Sequence, residues 1–244
     1  MKPQRDWTKG VPEPIGACNR IEELENGEPL VDLRIASPTL VIHRESVIPF
    51  ARKTVAEMAE KAAKLIPKEF RLGVVDAWRP IERQRRIYEW VFECAKVAYP
   101  DRSYASLRRT VNRWAAPTDQ KAPPGHCTGA ALDIWLLDLK GNVMDVCEPF
   151  GRFDAAATYT LGLSAGAKKH RDILVSALLE AGFSNCRDEW WHYSWGDSAW
   201  AVRMGLKECC YGVVSLGDPS LYAEQERISE EWFAERPNPF LTGK

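Results

Sequence analysis

From about Ser46 to Ile66, apolar residues recur at intervals of three and four (Ile48, Val55, Met58, Ala59, Ala62, Ile66), which predicts an amphipathic helix lying on a sheet. The run RLGVVDAW that follows is short, rich in valine and ends against Pro80, so it predicts a strand that stops at a turn, with Arg79 at the exit facing a cleft. Residues 81–98 form a second helical pattern, with Ile81, Ile87, Val91, Cys94 and Ala95 on one side and a Glu-Arg-Gln-Arg-Arg stretch exposed near its start. A polar connector with a short helical piece around Leu107 to Ala115 leads into the Pro-rich KAPPGH, and AALDIWLL then reads as a strand. Turn residues at 138–142 predict that Val143 to Val146 returns as the second arm of a hairpin, which makes the sheet at least partly antiparallel. Residues 165–181 are helical and close at Gly182, and EWWHYSW is aromatic and strand-like.

The two ends differ from this middle. The first thirty residues are rich in Pro, Gly and charge, with alternation beginning only at LVDLRIA, and beyond about Gly205 short apolar pieces mix with Pro and charge. The expected organisation is therefore one domain over 1–244, with an irregular lead-in at 1–29 and an irregular extension at 205–244. Helices mixed with hairpins indicate an α+β fold with a central, mainly antiparallel sheet flanked by helices.

Composition narrows the classes. At 45% hydrophobic and 27% charged residues the chain is globular in character. A net charge of −1, with no basic cluster longer than Arg108, Arg109 and Arg113, lacks the footprint of a nucleic-acid binder. No apolar run approaches membrane-spanning length, and MKPQRDWTKGVPEPIG has no apolar segment after its charged start. Seven cysteines without paired spacing suit a reducing compartment, so a cytoplasmic location is expected.

Only four histidines are present. A catalytic zinc takes three ligands from His, Asp, Glu or Cys and leaves a position open. His126 precedes Asp133 by seven residues across Thr128, Gly129 and Ala130, so a turn can bring a loop histidine and a strand aspartate to one point. His192 lies in Glu-Trp-Trp-His, where Glu189 can act as a base beside a metal. Residues three apart on a regular strand face opposite sides, so a shared site needs a bulge or twist there, or Glu189 at the strand end. His170, among Lys168, Lys169 and Arg171, reads as solvated, and His43 as a residue near a helix start. Cys127 and Cys147 have no C-x-x-C partner and read as buried, and adjacent Cys209 and Cys210 are assigned no function. Taken singly, each of these polar residues is as well explained by hydrogen-bonded structure.

In combination they resemble the D-alanyl-D-alanine dipeptidases, zinc enzymes related more distantly to bacterial DD-carboxypeptidases and hedgehog-type domains. GHCTGAALD resembles the family's S-x-H-x-x-G-x-A-x-D, EWWHYSWGDSAWA its second signature, and VVDAWRP its D-A-Y-R-P, with the likeness running from about Leu30 to Ala201. The resemblance implies His126, Asp133 and His192 as ligands of one zinc ion. It also implies Glu189 as the group that moves protons, Arg79 as the stabiliser of transition-state charge, and a small peptide such as D-Ala-D-Ala as the partner. Trp78, Trp190 and Trp191 flank these positions and are expected to wall a small pocket, Trp191 as a substrate contact. The chain departs from the pattern in two places. Pro124 stands where the family has its first serine, and DVCEPFGRFD replaces D-M-G-T-x-F-D, whose last aspartate reads the substrate's amino group. Glu148 or Asp154 is then the expected source of that charge. Peptidases of longer peptidoglycan stems and a non-catalytic zinc module are the competing readings.

Overall fold

The computed structural model describes residues 3–146 and 153–241, without the side chains of Phe153 and Asp154. Glu148 and the side chain of Asp154 therefore lie outside the described residues. At the centre is a five-stranded sheet built from β1 (Val41–Ile42), β2 (Phe70–Asp76), β3 (Ala131–Asp138), β4 (Ser184–Asn185) and β5 (His192–Ser194). Its order is β1-β2-β3-β5-β4; β1 and β2 run parallel and the other three pairings are antiparallel. The expected α+β class with a mainly antiparallel sheet is what the chain adopts.

Among the described residues, six helices of seven residues or more surround or adjoin it: α1 (Lys53–Leu65), α2 (Ile81–Ala98), α3 (Tyr104–Val111), α4 (Ala165–Ala181), α5 (Ser198–Met204) and α6 (Ala223–Glu235). Helices α1 and α4 pack on one another and on the sheet, with Ala56, Ala59, Leu174 and Leu178 meeting Leu132, Ile134 and Leu136 of β3. Alternation along a strand places these even-numbered residues on the core face, and so turns Asp133 to the other face. That second face carries the polar chemistry. Helix α4 begins with Ser164 accepting a bond from Ala167 N–H and ends on Gly182 at φ 113°, a left-handed cap that matches the expected terminus.

Several expectations are corrected. The first helix starts at Lys53 rather than near Ser46, because Phe50–Arg52 are extended and pair antiparallel with Leu30–Asp32. Ile48 is still buried, so its place in the apolar pattern reflects core contact and not helix. LVDLRIA is a strand only over Leu30–Asp32; the Asp32 carboxylate accepts the Arg34 N–H at 2.9 Å and caps a helical turn over Leu33–Ala36. The short helix lies at Tyr104–Val111, started by Ser103, and not at 107–115. The hairpin return after β3 is reduced to a single bridge between Leu137 and Val143. EWWHYSW is a strand only from His192 to Ser194, because Glu189 to Trp191 form a turn in which His192 N–H donates to the Glu189 carbonyl.

The ends are more ordered than their composition suggests. Within the lead-in, Gln4–Arg5 pairs with Thr160–Leu161 and Glu22–Glu23 with Glu208–Cys209. The extension, expected to be irregular, contains α6, a helix of 13 residues. Its apolar face is weak, so the periodicity of core-facing helices is absent from its sequence. Ion pairs and a ring contact hold it: Arg227 joins Glu224 and Glu231 along the helix, Glu226 reaches Arg83 and Arg86 of α2, and Phe233 meets Trp90 of α2 edge-on at 5.2 Å. His43 follows β1 and donates its N–H to Val74, so it belongs to the sheet edge rather than to a helix start. Among the described residues, no helix is long and apolar enough to cross a membrane.

The core face makes a direct demand on β3. Leu136→Ala deletes a fully buried side chain opposite Leu72 and is expected to cost about 2–5 kcal/mol. Urea unfolding of the two metal-free proteins measures this, and a change below about 1 kcal/mol would contradict the assignment of that face.

Candidate active site

The polar face of the sheet is assembled from three chain segments that end at the same place. The first is the exit of β2. Residues pair regularly with β3 as far as Val74 opposite Ile134, then one residue is inserted and Asp76 stands opposite Asp133. Without this bulge Val75 would occupy that place and Asp76 would turn toward the core; the extra residue re-aims the carboxylate onto the polar face. Asp76 then accepts from Ala77 N–H at 3.0 Å and pairs with the Arg79 guanidinium, whose other terminal nitrogen donates to Gln84.

The second segment is the turn Gly125–Thr128, one 3₁₀ turn that closes on Gly129 at φ 71°. A side chain at 129 would be strained in this conformation, and its Cβ would lie 2.5 Å from Leu30 Cδ2 and 3.3 Å from the Arg52 backbone nitrogen. Arg52, 1% exposed, holds the turn from beneath: its backbone N–H donates to Gly129 and its Nε to the Thr128 carbonyl at 2.8 Å. The result places His126 with Nδ1 2.8 Å from the Ala77 carbonyl. A carbonyl only accepts, so Nδ1 carries a proton and Nε2 is the ring nitrogen turned to the site. The Arg79 N–H donates to the His126 carbonyl at 3.1 Å, tying this turn to the β2 exit.

The third segment is β5. His192 pairs with Asp133 across the sheet, and its Nδ1 lies 2.9 Å from Asp133 Oδ1. His126 Nε2 approaches the same oxygen at 3.3 Å, and the two imidazole rings are 5.0 Å apart between centroids. Glu189 stands just before β5 in the turn, at the strand end, and so escapes the alternation that would have turned it to the opposite side.

The donor set fits a metal ion. One ligand atom each from His126, Asp133 and His192 lies within 4.8 Å of the others. Ligands about 2.0–2.1 Å from a zinc ion at tetrahedral angles stand about 3.3 Å apart, which the His126–Asp133 separation matches. With Nδ1 bonded to Ala77, the Nε2 of a neutral imidazole and the oxygen of an ionised carboxylate both offer lone pairs, the donors that a cation takes. The Ala77 carbonyl supplies the partner on the far ring nitrogen that orients such a ligand.

Electrostatics separates the roles of the acids. Burial favours a neutral Asp133, but the charge and hydrogen bonds of His126 and His192 win and hold it far below the usual carboxylate range. Burial likewise works against an ionised Asp76, and the charges of Arg79 and His126 bring it down. Glu189 goes the other way: burial, only partly offset by His192, pushes its pKa up to about 7. A carboxyl group near neutrality can accept and return protons at physiological pH. His192 is lifted to about 9, because the Asp133 hydrogen bond and charge outweigh burial.

Of the residues singled out in the sequence, Arg79, His126, Asp133, Glu189 and His192 converge. Trp78 and Trp190 are buried beside them, and the half-buried Trp191 sets its ring edge-on to Trp190 at 5.3 Å while its carbonyl accepts from Ile134 N–H. Asp76, Gln84 and Arg52 were not anticipated. Asp76, three residues before Arg79 at a strand end, carried a usable signal; Gln84 and Arg52 looked like ordinary polar residues of a helix start. Cys127 is buried as expected, while Cys147 lies outside the described residues. His170 is held, with Nδ1 2.6 Å from the Asp145 carbonyl.

Comparison with known proteins selects the same region. The D-ala-D-ala dipeptidase family model matches residues 41–208, which include all five converging side chains. A D-alanyl-D-alanine dipeptidase of Synechocystis sp. is 29% identical over 163 residues, 58% of this chain and 66%, just under two thirds, of that relative. A D-alanyl-D-alanine dipeptidase of Escherichia coli is 22% identical over 173 residues, 70% of this chain and 75% of its own length. Among solved structures, a mutant of the vancomycin resistance D,D-pentapeptidase VanY in complex with Zn(II) aligns over 83% of this chain and 93% of that one, with 14% identity and a TM-score of 0.38.

The raised pKa of Glu189 has a consequence for stability. Its folded value, about 7, lies above the ordinary value of 4.5, so the folded state holds the proton more tightly. No penalty exists below pH 4.5; it grows between 4.5 and 7 and is complete above, reaching about 3 kcal/mol. Metal-free Glu189→Gln is therefore expected to match the native protein in urea at pH 4 and to exceed it in stability at pH 8. Equal stability at both pH values would refute the burial of this carboxyl.

Proposed function

The chain belongs to the D-ala-D-ala dipeptidase family, and on that premise we propose that it hydrolyses D-alanyl-D-alanine or a similar dipeptide to free amino acids. In this reading His126, Asp133 and His192 hold one zinc ion, Glu189 moves the protons and Arg79 meets the developing negative charge. The observation that carries it is the convergence of three chain segments on one polar sheet face, with a carboxyl near neutrality and a guanidinium beside a three-ligand cluster.

Zinc held there supplies Lewis acidity that activates water and polarises the scissile carbonyl. Glu189 takes a proton from the attacking water and returns it to the departing amine. The Arg79 guanidinium, fixed by Asp76 and Gln84 beside the three-ligand cluster, brings a positive charge to the place where an anionic oxygen forms. Its positive charge is secure at working pH, since the Asp76 charge overcomes the effect of burial. A purely structural zinc module would use neither Glu189 nor Arg79. Glu148 or Asp154 supplies the negative charge that reads the free amino group, and Trp191 contributes to the pocket wall. The cytoplasm is the proposed location, and removal of cell-wall precursors or salvage of wall fragments the proposed role. The replacement of the family's acidic stretch by DVCEPFGRFD favours one second reading, cleavage of longer peptidoglycan stems.

The direct test is release of D-alanine from D-Ala-D-Ala by zinc-loaded protein. Glu189→Gln is expected to lower kcat by about 10²–10⁴ and Arg79→Ala by about 10²–10³, both retaining zinc, and an N-acetylated dipeptide is expected to be refused. Chelation is expected to abolish turnover, and His126→Ala to lose the bound metal. Cleavage of the acetylated substrate or of stem peptides alone would move the assignment to the second reading; turnover that survives Glu189→Gln would remove Glu189 from the chemistry.

A further inference from the structure

The family match stops at residue 208, yet the chain beyond it is bonded to the two turns that carry Arg79 and His126. The backbone of Val214 contacts both: its N–H donates to the Cys127 carbonyl and its carbonyl accepts from the Trp78 indole Nε1, each at 3.1 Å. Trp78 and Cys127 are the chain neighbours of Arg79 and His126, so one residue of the extension bridges the β2 exit and the 3₁₀ turn.

That residue is held on both sides. Two positions earlier, Gly212 is fixed at both backbone groups, its N–H donating to Glu25 at 2.6 Å and its carbonyl accepting from Arg52 at 3.1 Å. This is the same Arg52 that supports the turn from beneath. On the other side, the ring of Tyr222 meets Trp78 edge-on at 5.2 Å, and Glu226 anchors α6 to Arg83 and Arg86 of α2. Trp78 is itself 1% exposed, so its indole N–H has no access to water as an alternative partner.

We propose that residues 212–226, beyond the span of the family match, are a positioning clamp, which fixes the Arg79 turn against the His126 turn through Val214. The assignment rests on the catalytic reading of Arg79 given above, but its first consequence is independent of any substrate. The Arg79 amide, bonded to the His126 carbonyl, and the Val214 amide, bonded to the Cys127 carbonyl, report the joint directly. A clamp that closes it protects both from exchange with solvent.

The test uses the full-length zinc-loaded protein with Trp78→Phe, which removes the indole donor and keeps a ring, and Tyr222→Ala, which loosens the clamp from the tail side. Hydrogen exchange at the Arg79 and Val214 amides is expected to quicken about tenfold in each, the scale of one hydrogen bond, while α1 and α4 keep their protection. On the dipeptide, kcat is expected to fall about tenfold with KM held, and this loss is expected to vanish in an Arg79→Ala background. Unchanged exchange at both amides in the two variants overturns the clamp whatever the substrate. Faster exchange with native kcat, or an equal loss in the Arg79→Ala background, overturns the positioning role. If the native protein cleaves no dipeptide, the substrate reading falls, and exchange together with zinc affinity, expected to weaken about tenfold in both variants, decides the clamp alone.

Discussion

Charge balance on one face of a sheet governs this molecule. Asp76, Asp133 and Glu189 bring three carboxyl groups to a place with little access to water, and each has a different solution. Asp76 has a guanidinium, Asp133 has two imidazoles, and Glu189 has only partial compensation and retains its proton to near neutrality. The scaffold around them serves that arrangement. Helices α1 and α4 seal the opposite face so that the strands stay fixed, and Arg52 holds the turn of His126 by hydrogen bonds to carbonyls rather than by apolar packing.

How much of this is legible in the sequence depends on whether the cause is local. Residues 81–98 and 165–181 are helices because apolar periodicity, joined in the second by Ser164 and Gly182 at its ends, acts within a few residues, and the strand at 131–138 follows from its apolar content. The start of α1 was misplaced because the extended state of Phe50–Arg52 comes from pairing with Leu30–Asp32, some twenty residues away. Helix α6 has no continuous apolar stripe for the sequence to display: charge pairs to α2 and a single ring contact, Phe233 on Trp90, hold it.

The site divides along the same line. His126, Asp133, Glu189, His192 and Arg79 were readable because their spacing within three motifs matches a known pattern. Asp76, Gln84 and Arg52 act on those residues through contacts that no motif spells out. The strand-end position of Glu189 was one of the alternatives that the sequence left open, and the short β5 decides it by beginning only at His192.

The single inserted residue at Val75 gives the molecule a parity. Loops in a protein of this kind tolerate changes of length, since the cost of closing a loop rises slowly with its size. The stretch between Val74 and Asp76 has no such freedom, because side chains alternate along a strand and one residue more or fewer exchanges its two faces. Removing that residue would leave composition, charge and motif residues almost untouched while sending the Asp76 carboxylate toward the apolar layer and leaving Arg79 without its counter-charge. Length is thus loosely constrained in the loops of such a chain, while residues count strictly in the few positions where the strand leaves the sheet.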